Sequence, residues 1–176
     1  TRSFHVTGVQ TCALPILYME KPTIKSNKLF VSLKKRPKTK YLVVHCSATV
    51  NSPDFDWKTI DRMHRQKGWI CIGYHFVIRT DGTIEEGRPL DTIGAHVKGH
   101  NEESVGICLI GGTNLKGVPM DNFTKAQKDS LLKLLVWLQK DVYAAEEPTV
   151  LGHRDFGVNK ACPCFDVIPW YAQNTH

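Results

Sequence analysis

Tyr41-Leu42-Val43-Val44-His45-Cys46 is a short, mostly apolar run with a pair of β-branched residues at its centre. That is the composition of a buried central strand. Its end carries His45, followed by Cys46-Ser47-Ala48-Thr49. Side chains alternate across a strand, so His45 and Cys46 point to opposite faces. If His45 faces a cleft, Cys46 faces the core.

Working outward from this strand, the C-terminal side carries further punctuated elements. Asp54 or Asp56 can cap a helix through Trp57, Ile60, Met63 and His64, which recur at helical spacing and stop at Gly68. Tyr74 to Arg79 reads as a strand, Asp81-Gly82 as a hairpin turn and Thr83 to Arg88 as the returning strand. Ser104 to Ile110 is a further apolar strand, halted by Gly111-Gly112. Thr124 and Gln127 form a capping-box pattern before a long helix whose buried stripe is Leu131, Leu134, Leu135, Leu138 and Val142. Thr149 to Leu151 makes a last short strand, and Asp166 caps a terminal helix bearing Trp170 and Tyr171. Strands in the middle with helices on either side predict an α/β (α+β) single domain with a central mixed β-sheet flanked by helices.

On the N-terminal side the chain changes character. Residues 19–40 are rich in lysine: Lys21, Lys25, Lys28, Lys34, Lys35, Lys38 and Lys40, with Arg36. The run reads as a solvated basic arm; its sharper alternative is an electrostatic tether to an anionic surface. Leu29 to Leu33 inside it can form a short edge strand. Before that, Val6-Thr7-Gly8-Val9-Gln10-Thr11-Cys12-Ala13-Leu14-Pro15-Ile16 resembles the in-frame translation of a sequencing adapter. Residues 1–18 are therefore set apart from fold reasoning, and Met19 is read as the natural start. The apolar part of that segment is short and lacks a basic lead-in, so no signal peptide is expected.

The 176 residues, 41% of them hydrophobic, suit one domain with its own core. No stretch approaches the roughly 20 apolar residues of a membrane-spanning helix, so no stable membrane insertion is expected. A net charge of +6 favours anionic partners such as cell wall, nucleic acid or acidic membrane, without choosing among them. Of six cysteines, Cys46, Cys71 and Cys108 lie in or beside apolar stretches and read as reduced and buried. Cys162 and Cys164 flank one proline, a spacing too short and stiff for a comfortable bridge.

Three separated residues carry chemistry: His45, His153 in Gly152-His153-Arg154-Asp155, and Cys162 in Lys160-Ala161-Cys162-Pro163. Two imidazoles and a thiolate suit one Zn2+ ion with a fourth position open to water, the pattern of a hydrolytic rather than a structural site. Cys162 comes nine positions after His153, enough for a loop to fold back and present both. Taken singly, a histidine at a strand end is usually a polar residue near a loop, and a lone cysteine is usually core. His64 reads as helix packing. His75 alternates with Tyr74 and reads as structural, facing away from it. Arg154 and Asp155 either orient the ligand loop or form a salt bridge with no chemical part. His100 and His176 have no assigned role.

The words VHCSAT, GYHFVIRTDGTIEEGR, GAHVKGHNEESVGICLIGG, FTKAQ and GHRDFGVNKACP, in this order, change the weight of those three residues. Together they resemble the zinc-dependent N-acetylmuramoyl-L-alanine amidases of the bacteriophage endolysin (phage lysozyme) type, which share a fold with the peptidoglycan-recognition proteins. The resemblance spans Tyr41 to Tyr171, and the amidase domain is placed at 41–174. It implies His45, His153 and Cys162 as zinc ligands, Tyr74 and Lys160 as catalytic residues, and His96 as a groove residue near the metal. Asn101 shapes the same loop and is set beside His96 as substrate-binding. It also implies hydrolysis of the amide joining the lactyl group of N-acetylmuramic acid to L-alanine in peptidoglycan. Lys160 would stabilise the developing oxyanion, and Tyr74, whose ordinary pKa of about 10 makes it a poor base, would polarise and position. The chain departs from the family pattern at Cys164, where a small residue is usual; the matching register favours Cys162 as ligand.

The alternatives are a peptidoglycan-binding module that does not cut, and a regulator of a phage RNA polymerase. Recognition relatives that only bind often lack the thiolate, which this chain keeps. No motif tests polymerase contact, and none points to nucleic acid. An endolysin of this type is expected to be a monomer, made in the host cytoplasm, acting at the cell wall and causing host lysis.

Overall fold

The computed structural model describes residues 20–29 and 31–175. The adapter-like segment 1–18, Met19, Phe30 and His176 lie outside the described residues. Six strands form one mixed sheet: β1 (Ile24–Lys25), β2 (Tyr41–Cys46), β3 (Phe76–Ile78), β4 (Ile84–Glu86), β5 (Ser104–Leu109) and β6 (Thr149–Gly152). Their spatial order is β1-β4-β3-β5-β2-β6. Only the β3–β4 hairpin is antiparallel; every other neighbouring pair runs parallel. β2 is hydrogen-bonded on both sides, to β5 and to β6, which is why its sequence is apolar almost throughout.

Period-2 alternation divides the sheet into two unlike faces. Leu42 and Val44 of β2, Phe76 and Ile78 of β3, and Val105, Ile107 and Leu109 of β5 form the larger core with two helices, α2 (Lys125–Trp137) and α3 (Val167–Thr175). Val77 packs on the other face with Ile60 of helix α1 (Trp57–Gln66), Ile72 and Ile110. That second cluster is smaller, and the polar residues of β2 and β5 share its face. Full burial of a Leu or Ile stabilises by about 1.5–3 kcal/mol, so the α2/α3 face carries most of the hydrophobic stabilisation.

The helix starts follow their sequence signals. Asp56, rather than Asp54, caps α1: its carboxylate accepts from Thr59 N–H at 2.9 Å. Thr124 and Gln127 form the capping box of α2. The buried stripe that begins in α2 ends at Leu138, four residues short of the Val142 that its periodicity predicts. Leu138–Val142 form a π-turn, in which Tyr143 N–H donates to the Leu138 carbonyl at 2.8 Å. The wider turn rotates Val142 off the core face, leaving it 36% exposed.

The basic segment is only partly a solvated arm. Its lysines are exposed, but residues between them are anchored. Ile24–Lys25 pairs with β4, so an edge strand forms there; Leu29 and residues 31–33 are in no strand, and Phe30 lies outside the described residues. The Arg36 guanidinium donates to the Thr92 carbonyl at 2.8 Å and to the Tyr143 hydroxyl at 2.6 Å. Thr39 is buried. The hairpin strands are shorter than predicted; beyond Phe76 and Glu86 the His75 and Tyr74 carbonyls accept from the Gly87 and Arg88 N–H groups at 2.8 and 2.9 Å, outside the regular ladder.

Candidate metal centre and active site

In the β2–β6 register Val44 stands opposite Gly152. The next residues, His45 and His153, therefore emerge side by side at the carboxyl ends of two parallel strands, where open α/β sheets commonly hold ligands. Their rings lie 4.6 Å apart between centroids. Cys162 reaches the same point from the following loop. That loop is tied back by the Arg154 N–H, which donates to the Cys162 carbonyl at 3.0 Å. The Cys162 sulfur lies 3.8 Å from His45 Nδ1 and accepts from the Cys46 N–H at 3.3 Å.

One donor atom from each of His45, His153 and Cys162 falls within 4.8 Å of the others, a grouping that can hold a metal ion. A tetrahedral ion at about 2.0–2.3 Å from each donor separates the donors by roughly 3.5 Å, so the trio fits with little closure. The chemistry of the set fits as well. Burial first, then His96, His153 and Lys160, hold His45 well below the usual imidazole range. Burial and Lys160 lower His153 too. Both rings are thus neutral at pH 7, as metal ligation requires.

Tyr74 flanks this cluster, its ring 5.1 Å from that of His45 and 5.3 Å from that of His64. Burial, and the thiols of Cys108 and Cys162, push its hydroxyl well above the usual phenol range. It therefore keeps its proton at neutral pH. Lys160 is exposed two residues before Cys162, and its charge, after burial, helps lower both His45 and His153.

His96 is buried beneath His45, with Nδ1 3.0 Å from His45 Nε2. Asn101 accepts the N–H groups of His96 and Val97 at 2.7 and 2.9 Å through its side-chain oxygen. It also lines a shallow hollow with Pro37, Lys38, Gly94 and Glu102. His75 does not face away from this layer. Its ring lies 5.8 Å from that of His96, because β3 begins only at Phe76 and strand alternation does not yet apply at Tyr74 and His75. Its role is structural: Nδ1 accepts from Gly106 N–H at 3.0 Å, and Nε2 lies 2.8 Å from the Thr92 carbonyl.

The residues around the trio make contacts of their own. Arg154 pairs with Asp166 at 2.7 Å, and Asp155 accepts from Gly152 N–H at 2.7 Å. The Cys164 sulfur turns away from the ligand trio, 3.9 Å from that of Cys46 and 3.2 Å from the Gly112 carbonyl. Burial and Cys46 raise its thiol to about 11. Cys46, Cys71 and Cys108 are buried free thiols.

His64 packs as its helix position suggested, and two further features, Glu85 and Ser104, escaped sequence reading. His64 Nδ1 accepts from Gly73 N–H at 2.9 Å, and its ring is held between Trp69 and Tyr74. The buried Glu85 accepts from Trp57 N–H at 2.9 Å, fixing the start of α1. Ser104 lies beneath His96, with Oγ 3.3 Å from His96 Nε2. Ser104, Gly106 and Cys108 share the His45 face by alternation, but only the lateral register of β2 and β5 shows that they sit beside it.

Residues 35–165 match the family model described as N-acetylmuramoyl-L-alanine amidase. The chain is 45% identical to the endolysin of Klebsiella phage KP32 over 144 residues, 82% of this chain and 93% of that one. Its structure is similar to the endolysin N-acetylmuramoyl-L-alanine amidase LysCS from Clostridium intestinale URNW. That match has a TM-score of 0.72 at 30% identity, covering 89% of this chain and 97% of the other. The Drosophila peptidoglycan-recognition protein LB superposes with a TM-score of 0.68 at 27% identity, covering 80% of this chain and 87% of its own.

Proposed function

The chain belongs to the N-acetylmuramoyl-L-alanine amidase family, and from that premise we propose that it is a phage endolysin hydrolysing the lactyl–L-alanine amide of peptidoglycan at one zinc ion. The observation that carries the reading is the convergence of His45, His153 and Cys162 at the ends of β2 and β6. In this reading those three residues would hold the ion. When bound there, zinc would supply Lewis-acid chemistry for the attack of water on the amide.

The remaining work falls to side chains. The Lys160 ammonium, whose charge is felt at both imidazoles, stabilises the negative charge that develops on the carbonyl oxygen. The Tyr74 hydroxyl, kept protonated by its surroundings, donates a hydrogen bond to the reacting oxygen atoms. His96 and Asn101 shape the floor and rim on which the glycopeptide rests: Asn101 fixes the backbone of the loop that carries His96. The exposed lysines of residues 20–40 add a positive surface suited to an anionic wall polymer. Action at the bacterial wall follows from that substrate. No helix among the described residues is long and apolar enough to cross a membrane.

Digesting purified peptidoglycan with the protein, with and without a chelator, and weighing the products tests the reading. Stem peptides with a free L-alanine amino group, absent when the chelator is present, are the expected result. New reducing sugar ends, or cleavage indifferent to chelation, would overturn it.

A further inference from the structure

His45 has two ring nitrogens with different neighbours. Nδ1 faces Cys162, 3.8 Å from its sulfur, while Nε2 points inward, 3.0 Å from His96 Nδ1. His96 Nε2 lies 3.3 Å from Ser104 Oγ, and the Ser104 hydroxyl donates to the His100 carbonyl at 2.7 Å. A carbonyl can only accept, so this terminus sets the direction of every bond before it. The one Ser104 proton goes to His100, and the Ser104 oxygen therefore accepts from His96 Nε2–H. A neutral imidazole carries a single N–H, which leaves His96 Nδ1 as an acceptor. That nitrogen receives the His45 Nε2–H. His45 Nδ1 is then left with a lone pair on the side of Cys162.

We infer that His96 and Ser104 are positioning residues that fix the His45 tautomer so that Nδ1 binds the metal. The inference rests on the ligand set proposed above. Metal-bound histidines usually give their second N–H to a carboxylate, carbonyl or water. Here the acceptor is another imidazole, whose own tautomer must be fixed, and the Ser104–His100 link does that. The surroundings hold the His96 ring closely. A Cβ on Gly94 would approach it to 2.5 Å and one on Gly106 to 2.6 Å, so both positions need glycine for the ring to lie where it does. Asn101 clamps the backbone N–H groups of His96 and Val97.

Long-range nitrogen–proton NMR of the zinc-loaded protein reads the tautomers, and chelator competition reads zinc affinity. The variants are His96→Leu, His96→Asn and Ser104→Ala, each checked for folding by its melting in chelator. The expected spectrum has the His96 proton on Nε2 and the His45 proton on Nε2. His96→Leu should bind zinc about 10–100-fold more weakly. His96→Asn, whose side-chain oxygen stands in for Nδ1, should recover most of that loss. Ser104→Ala should let His96 populate both tautomers and weaken zinc to a smaller extent. A His96 proton on Nδ1, or a folded His96→Leu that binds zinc as tightly as the parent, overturns the relay while leaving the ligand set standing. A parent protein that takes up no stoichiometric zinc overturns the ligand set and the relay together.

Discussion

Cys162 and Cys164 make the sharpest contrast between neighbouring residues. Cys162 joins the two imidazoles, whereas Cys164 faces Cys46 and the Gly112 carbonyl. Cys162→Ser should abolish both peptidoglycan cleavage and tight zinc uptake, and Cys164→Ser should leave both within about twofold. The reverse pattern in a turbidity assay would show that the ligand register is misassigned. Lys160→Ala should lower kcat by about 10²–10³ with KM little changed, the loss seen when one oxyanion-stabilising donor is removed. A change in KM alone would place Lys160 in ground-state binding instead. The grouping of His45, His153 and Cys162 was legible in the sequence because each member sits in a distinctive word whose order matched a family. The contact between His96 and His45, and the part played by Ser104, were not. They depend on which strand lies beside which, and spacing along the chain does not encode lateral register.

Among the elements, α2 and its cap connect sequence to packing most directly. The Gln127 side chain closes the capping box and donates to the Ile78 and Ile110 carbonyls at 3.2 and 2.9 Å, at the ends of β3 and β5. Gln127→Leu strands buried carbonyls and should cost about 1–3 kcal/mol by urea unfolding. Leu134→Ala removes a fully buried side chain between α2 and the sheet and should cost about 2–5 kcal/mol. Values under about 0.5 kcal/mol for either would contradict the layer assignment. Capped, strongly periodic segments such as α1 and α2 were readable because their signals are local. The π-turn at Leu138–Val142 and the pairing of Ile24–Lys25 with β4 were not, because a break in helical phase and a two-residue strand leave no periodic trace.

For the whole molecule, buried neutral histidines set the response to acid. Burial, then the charge of Arg36, lowers His75 to about 3, and burial, then Lys67, lowers His64 to about 4. Both titrate near 6.5 when unfolded. Below that pH the unfolded chain binds more protons than the folded one, so stability is full above about 6.5 and falls as pH drops toward the folded values. Each histidine should contribute a loss of about 1.4 kcal/mol per pH unit within that window. Denaturant midpoints that stay constant between pH 6.5 and 4.5 would contradict the burial of these rings.

X-ray absorption at the zinc edge of the purified protein, taken with its metal content, bears most directly on the central claim. One zinc per chain, with one sulfur neighbour at about 2.3 Å and nitrogen neighbours at about 2.0 Å, is the predicted result, and Cys162→Ser should remove the sulfur. Substoichiometric metal, or a shell that lacks sulfur in the parent protein, would contradict the assignment of His45, His153 and Cys162 as the ligand set.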